Sequence, residues 1–219
     1  MLTVTVGADV PRLLDMVHNV KSLMLCSSQS SLEEDTQKLD TDVIRSIFSR
    51  TDGSAGDSRR LQLRSLHFDK VDFTAAGEAL MDVVDVTHLQ TLVMENCKNT
   101  FCLLERLADA KHVITTLINL KPTEARAPAG FLHFVEKAKG LEVLRSRPCK
   151  INLFQVATPF PQLERHGATL RVLELDFPGH TSYMNDGCLI GLLERCPNLE
   201  QLGIFLPEPL EQRTKLLVS

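Results

Sequence analysis

Cysteine and histidine are the residue types in this sequence that could bind a metal ion or act as a nucleophile or base. They are Cys26, Cys97, Cys102, Cys149, Cys188 and Cys196, with His18, His67, His88, His112, His133, His166 and His180. Zinc sites use close pairs of such ligands, and only Cys97 and Cys102 lie near each other. No cysteine has an evident activating neighbour, so we interpret the thiols as small buried hydrophobes. We therefore expect no metal site, no cofactor and no disulfide framework.

Catalytic motifs are missing from the sequence. It contains no GxSxG, HExxH or P-loop, and no GxGxxG after a strand. Scattered histidines without a paired carboxylate motif are usually structural or solvated. Arg145 and Arg147 lie on one predicted strand and are the candidates for an arginine finger that would activate a GTPase. We expect that the chain is not an enzyme, and GTPase activation is the weakest alternative.

A six-residue phrase recurs along the chain: an apolar residue, two variable residues, an apolar residue, one variable residue and an apolar residue. Its copies begin at Val20, Leu63, Leu89, Leu141, Leu170 and Leu199. The second apolar position repeats after 26 residues from Leu66 to Leu92. It repeats after 29 residues from Leu144 to Leu173, and after 29 more to Leu202. This pattern and period are those of a leucine-rich repeat, in which stacked units share one core.

Segments with apolar residues at helical spacing lie between the predicted strands. They cover residues 75–84, 101–110, 130–138 and 187–195. The second half of each phrase predicts a short strand whose alternate residues point inward. The sequence therefore predicts an α/β fold, a leucine-rich-repeat solenoid with parallel strands on the concave face and helices on the convex side. We assign residues 1–219 to this single domain.

One copy of the phrase is hard to place. It must lie within HVITTLINLKP, between the copies that begin at Leu89 and Leu141. It can be registered on Ile114 and Leu117, or on Thr115, Ile118 and Leu120, and the sequence does not decide between them.

The interval from Leu23 to Leu66 is 43 residues, which is too long for one unit. We interpret residues 26–60 as a polar, loop-rich insertion, with a short helix predicted over 42–49. Its serines, at 27, 28, 30 and 31, lie beside acidic residues and suggest a phosphorylated or partner-binding loop. We prefer the simpler interpretation, an ordinary repeat helix between two solvated loops, and a functional loop is the alternative.

The overall charge and hydropathy exclude several classes of protein. The chain has 28 acidic and 24 basic residues, a formal net charge of −4, and no basic stripe for a nucleic acid. It has no apolar run of about 18 residues for a membrane span, and its first residues lack a basic signal-peptide region. We therefore expect an intracellular protein, cytoplasmic or nuclear, with no nucleic-acid or membrane partner.

Some cysteines have fixed positions in the repeat. Cys97 and Cys149 follow the last strand position of their copies by three residues, and Cys196 precedes another strand. With the phrases GATLRVLELDFPG and LLERCPNLEQLGI, these copies resemble the cysteine-containing leucine-rich repeats of the ribonuclease-inhibitor-like superfamily, as in fungal F-box-type proteins. The resemblance covers residues 14–207. It implies that the repeats hold the substrate of a cullin ubiquitin ligase. No F-box is visible here, so a Skp-type adaptor is expected only if an F-box lies upstream.

Strand side chains that point away from the core should form the recognition surface. The candidate partner-binding residues are His67, Glu95, Arg145, Arg147, Glu174, Asp176 and Phe205. Arg145 and Arg147 should lie beside Glu174 and Asp176 on the next strand, as a cross-strand charge ladder, a recognition surface, or both. Phe205 would be its apolar anchor. We expect a protein partner to dock around Arg145, Glu174 and Phe205, and the loop-rich insertion is the rival location.

These observations predict a protein–protein interaction module. The resemblance makes substrate recognition in an F-box-type ubiquitin ligase the most specific hypothesis. The alternative is a free-standing leucine-rich-repeat scaffold with no link to ubiquitin, and a GTPase-activating repeat protein comes third.

Overall fold

Eight parallel strands form one sheet, in which the order of the strands is the order of the sequence. The structure, a computed structural model, describes residues 2–6, 20–27, 60–122, 129–147, 160–175 and 186–204. The strands are β1 Leu2–Val6, β2 Ser22–Ser27, β3 Ser65–Asp69, β4 Thr91–Glu95, β5 Thr116–Leu120, β6 Val143–Arg147, β7 Val172–Leu175 and β8 Gln201–Ile204. Each strand is parallel to its neighbour. The predicted α/β class with a parallel sheet is confirmed.

From β3 to β8, helices occupy the intervals between successive strands. They are α1 Phe73–Val83, α2 Thr100–Asp109, α3 Ala129–Lys137, α4 Phe160–Leu163 and α5 Asp186–Arg195, with 3-10 turns at Val86–His88 and Glu164–His166. The four helical segments predicted from the sequence are confirmed to within two residues at each end. The start of α1 shows a local cause, because the Asp72 carboxylate accepts a hydrogen bond from the Thr74 amide at 2.9 Å. Such a bond satisfies one of the free amides at a helix N-terminus.

Leucine occupies one inward position in seven consecutive strands. The row is Leu23, Leu66, Leu92, Leu117, Leu144, Leu173 and Leu202. All except Leu202 are buried, and they belong to one hydrophobic cluster with helix residues such as Phe101 and Phe134. The helices therefore cover the face of the sheet that carries this row.

The middle copy has the first of its two candidate registers. In β5, Leu117 lies in register with leucines of both neighbouring strands, and Ile114 is buried. The register on Ile118 and Leu120 is wrong. The remaining inward position of β5 is Asn119, which is fully buried and donates from Nδ2 to a threonine hydroxyl of α2 at 2.8 Å. A polar residue at a core position interrupts the apolar pattern, which is why the sequence left two registers open.

Three features of the structure differ from the predictions. Strand β1 was not predicted, although its sequence LTVTV alternates as a half-buried strand does. Strand β2 continues through Ser27, so the insertion begins later than residue 26. Its residues 28–59, with the helix predicted over 42–49, lie outside the described residues. Leu202, which was expected in the core, is partly buried because β8 is the last described strand and has a neighbour on one side.

Successive strands end with the same backbone turn. The residues after β3, β4 and β5 are Lys70, Asn96 and Lys121, with φ of 59°, 52° and 52°. Each of their amides donates to the carbonyl of the last residue of the next strand at 2.9–3.0 Å. Left-handed backbone is unfavourable for a lysine, so the surrounding hydrogen bonds hold it there. The repeated turn keeps the rows of side chains aligned across the sheet.

Candidate partner-binding face

Strand side chains that point away from the helices form a second surface, which we call the outer face. Its middle row is Met24, His67, Val93, Ile118, Arg145, Glu174 and Gly203. The row towards the strand ends is Cys26, Asp69, Glu95, Leu120 and Arg147, and the row towards the strand starts is Ser22, Ser65, Thr91, Thr116, Val143, Val172 and Gln201. None of these residues is buried. Within the described part of the chain, no helix lies over this face.

Five of the seven predicted partner-binding residues lie on this face. They are His67, Glu95, Arg145, Arg147 and Glu174. The other two, Asp176 and Phe205, lie outside the described residues. The structure therefore places the five on one surface, and it does so through strand register, as the alternation of inward and outward residues predicts.

Two arginines of β6 converge on one glutamate of β7. Arg145 Nε lies 3.5 Å from Glu174 Oε2, and Arg147 forms an ion pair with the other carboxylate oxygen. Arg145 Nη2 also donates to Gln201 Oε1 at 3.0 Å, across two strands. The side chain of Glu174 is 18% exposed and those of the arginines 36% and 54%. The predicted pairing of both arginines with Glu174 is confirmed, and at this exposure each pair contributes at most about 1 kcal/mol.

A glycine provides the space for this cluster. Gly203 of β8 lies in register with Glu174, and a Cβ built on it would lie 2.8 Å from Glu174 Cγ. Any side chain at this position would push the glutamate out of place. The absence of a side chain on β8 thus leaves room for the Glu174 side chain, which pairs with the two arginines of β6 on its other side.

Carboxylates collect at the other side of the outer face. Asp69 and Glu95 are register neighbours at the ends of β3 and β4, and we call them the acidic corner. Asp69 accepts a hydrogen bond from Asn96 Nδ2 at 3.0 Å, and Glu95 Oε2 lies 3.9 Å from His67 Nε2. In the described part of the chain no lysine or arginine forms an ion pair with either carboxylate.

The field of the acidic corner reaches the neighbouring thiol. Burial, then the charges of Asp69 and Glu95, raise the pKa of Cys26, and the ammonium of Lys70 offsets only part of this. A thiol with a raised pKa is a poor nucleophile at neutral pH. Burial is the main cause of the raised pKa of Cys26 and the charge of Asp69 comes next, so the thiol is mostly protonated at neutral pH.

Apolar side chains lie between the acidic corner and the arginines. Val93 and Ile118 are adjacent in the middle row, and Leu120 lies between Glu95 and Arg147 in the next row. Sequence reasoning missed Ile118 and Leu120, since the register of β5 was open. The signal that could have found them is Ile114, which begins the phrase 25 residues after Leu89, close to the 26-residue interval seen earlier.

Packing explains the buried thiol of Cys97 and the buried imidazoles of the described residues. Cys97 is buried behind the end of β4, where it donates to the Glu95 carbonyl at 3.2 Å, and burial raises its pKa to about 12. His166 is buried and bridges two backbone groups, with Nε2 2.8 Å from the Val135 carbonyl and Nδ1 accepting from the Leu141 amide at 3.3 Å. These contacts are structural and leave neither group free for chemistry.

A second buried imidazole packs under α3. His112 stacks on Phe134 with ring centroids 4.9 Å apart, and its Nδ1 accepts a hydrogen bond from the Ile114 amide at 3.3 Å. Burial lowers its pKa, so this histidine is neutral in the folded protein. No cluster of three or more metal-ligating side chains occurs among the described residues.

The helix side carries a regular series of ion pairs. Three ion pairs join an acid of one unit to an arginine of the next, Glu78 to Arg106, Glu136 to Arg165 and Glu164 to Arg195, and Asp109 forms a hydrogen bond with His133 in the same series. In the first of these pairs, Glu78 Oε1 lies 2.7 Å from Arg106 Nη2. These charges are paired within the scaffold, unlike those of the acidic corner. Among the described helices, none has the length and apolar character needed to cross a membrane.

No protein-family model, curated protein or solved structure matches this chain. Function is therefore inferred from the outer face itself, since function resides in a site and not in a scaffold.

Proposed function

We propose that this chain is a leucine-rich-repeat solenoid whose outer face is concave and binds a protein partner. One observation carries the proposal. The inward row has leucine in all seven strands from β2 to β8, whereas the adjacent middle row of the outer face has seven different residue types. Packing restricts the first row, and it places no such restriction on the second. A rigid sheet with a freely varied surface is what the repeat architecture uses for recognition.

The chemistry of the outer face favours a polypeptide partner. It combines the acidic corner, apolar residues such as Ile118, and the Arg145–Glu174 cluster within a few strands. A nucleic acid would need a continuous positive track, and here Glu174 is shared by both arginines. Side chains on strands are also held in place before binding, which lowers the entropic cost of association.

As the specific role, we propose substrate recognition in an F-box-type ubiquitin ligase. The support is the resemblance of its cysteine-containing copies to the repeats of such proteins. A free-standing scaffold is the alternative. GTPase activation is disfavoured, because an arginine finger must be free to reach a phosphate and both candidate arginines contact Glu174.

The test uses two matched charge swaps and affinity purification of the intact chain from cells. The first swap, Arg145→Glu with Glu174→Arg, keeps an ion pair but inverts the pattern of the outer face. The second, Glu78→Arg with Arg106→Glu, does the same on the helix side. We expect proteins captured by the wild-type chain to be lost from the first swap and kept by the second.

A third variant, with residues 28–40 deleted, tests the rival location and leaves strand β2 intact. If the deletion abolishes capture and the outer-face swap does not, the partner binds the insertion and the proposal is wrong. A Skp-type adaptor among the captured proteins would support the ligase role. Its absence from the proteins captured with the full-length gene product would favour the free-standing scaffold.

A further inference from the structure

We infer that the outer face accepts a polypeptide segment in which an apolar side chain is followed by a lysine or arginine about 10 Å away. The apolar side chain lies on Ile118 and Val93, and the cation lies between Asp69 and Glu95. This inference rests on the proposed function, because it states which kind of segment the outer face recognises. It moves the centre of binding from β6 and β7 to β3, β4 and β5.

The first support is the difference between the two charged ends of the face. At one end, Arg145 and Arg147 already share Glu174. A partner carboxylate would have to compete with that glutamate. At the other end, Asp69 has a neutral amide as its partner and Glu95 has an imidazole at 3.9 Å, which is beyond hydrogen-bonding distance. The arginine end keeps one net positive charge, whereas the acidic corner has two carboxylates and, among the described residues, no lysine or arginine paired with either, so its charge is the less balanced of the two.

The second support is how the acidic corner is built. Its two carboxylates are register neighbours on adjacent strands, so both can contact one ammonium or guanidinium group. The side chain of Glu95 is 40% exposed and can be reached from the outer face. The thiol of Cys26, in register with Asp69, senses both carboxylates. Among the described residues, the cation whose charge acts on this thiol is Lys70, which lies in the turn beyond β3 and not on the face itself.

The third support is the apolar surface beside the acidic corner. Val93, Ile118 and Leu120 are partly exposed and contiguous across β4 and β5. Partly buried apolar side chains on rigid strands are the kind of site that binds an anchor residue of a partner. Water leaves this surface when the anchor binds, and the nearby ion pair then strengthens in the drier environment.

The spacing follows from the sheet. Neighbouring strands lie about 4.8 Å apart and residues rise about 3.3 Å along a strand, and the acidic corner lies about one and a half strands away from Ile118 and two residues further along, which separates the two positions by about 10 Å. An extended chain covers this distance in about three residues. Because alternate side chains of an extended chain face the same side, the segment should have an apolar residue and a basic residue two or four positions apart, running across the strands from β5 towards β3.

The probes are fluorescent peptides of about seven residues, which reach about 23 Å when extended. Each peptide contains Leu-Val-Leu followed by two glycines. The last two residues are lysines in the first peptide, glutamates in the second and serines in the third. Binding to the intact chain is measured by fluorescence polarisation at low and at physiological salt. We expect the lysine peptide to bind about three-fold tighter than the serine peptide and about ten-fold tighter than the glutamate peptide, with the difference shrinking in salt.

Two variants locate the effect. Asp69→Asn with Glu95→Gln removes the acidic corner without changing side-chain size, and should abolish the preference for lysine. The control, Glu78→Gln with Glu105→Gln, removes the same charge from the helix side and should keep it. Loss of the preference in both variants, or in neither, overturns the inference.

The remaining outcomes separate this inference from the proposed function. A tighter glutamate peptide whose binding is lost in Arg145→Ala would overturn the charge assignment and leave docking on the outer face intact. Peptides whose affinity is the same in every outer-face variant, or that show no binding up to millimolar concentration, overturn the inference. The charge-swap capture experiment then decides the proposed function independently.

Discussion

Replacing Leu173 by alanine tests whether the units are held together as a one-dimensional stack. Leu173 is 0% exposed and lies between the leucines of β6 and β8 in the inward row. The change removes about three methylene-sized groups, worth about 2.4 kcal/mol of lost burial. A residual cavity of about 60 Å³ adds about 1.4 kcal/mol. We expect the free energy of unfolding to fall by about 4 kcal/mol, measured by urea denaturation.

The location of the damage is the sharper readout. In a stack where each unit contacts its neighbours, the loss is felt first by the units beside the cavity. Amide hydrogen exchange should therefore show β6, β7 and β8 losing protection before β3 and β4. Leu66→Ala is the matched control, since Leu66 is equally buried in the same row and should produce the reverse order. If both variants loosen all strands equally, the chain unfolds as one cooperative unit and the nearest-neighbour reasoning is refuted.

Three further substitutions test local features. Gly130→Ala should lower the unfolding free energy by about 1–3 kcal/mol, because its Cβ would clash with the Phe101 carbonyl; thermal melting would show it, and an unchanged melting temperature would contradict it. Lys121→Gly should raise stability by about 0.5–1 kcal/mol by relieving a φ of 52°, and denaturant midpoints measure this. Asp72→Ala should cost about 1 kcal/mol near pH 7. Partial burial opposes ionisation of Asp72, but its hydrogen bonds outweigh burial and lower its pKa. The stabilisation by the Asp72 carboxylate is therefore lost as the pH falls through that lowered pKa. The unfolding free energies of the wild-type and Asp72→Ala proteins should converge in acid.

The repeat could be predicted because burial repeats with it. Leucines such as Leu92 and Leu173 recur at nearly constant intervals, and strand order follows from short connections between units. Where a core position is polar, the pattern loses its signal. Asn119 interrupts the apolar pattern in β5. Ser146 occupies the same inward position in β6 and is 1% exposed. A polar core residue of this kind can be recognised only from the register of its strand with the neighbouring strands.

The candidate site was predictable only where strand register was already certain. The pairing of Arg145 with Glu174 followed from aligning two clear copies of the phrase. The position of Ile118 between the charged groups did not follow, because its strand had two possible registers. The role of Gly203 was also invisible, since it depends on where the Glu174 side chain lies in three dimensions.

The outer face has a further property that follows from its construction. Each unit contributes one strand, so the order of chemical groups across the face is their order along the chain. The acidic corner on β3 and β4 comes first, the apolar centre on β4 and β5 follows, and the Arg145–Glu174 cluster on β6 and β7 comes last. The corner at Asp69 and the cluster at Arg145 are three strands apart, or about 14 Å. At that separation substitutions act additively unless a shared partner couples them. Non-additive losses of binding in a double variant would therefore show that one segment contacts both ends.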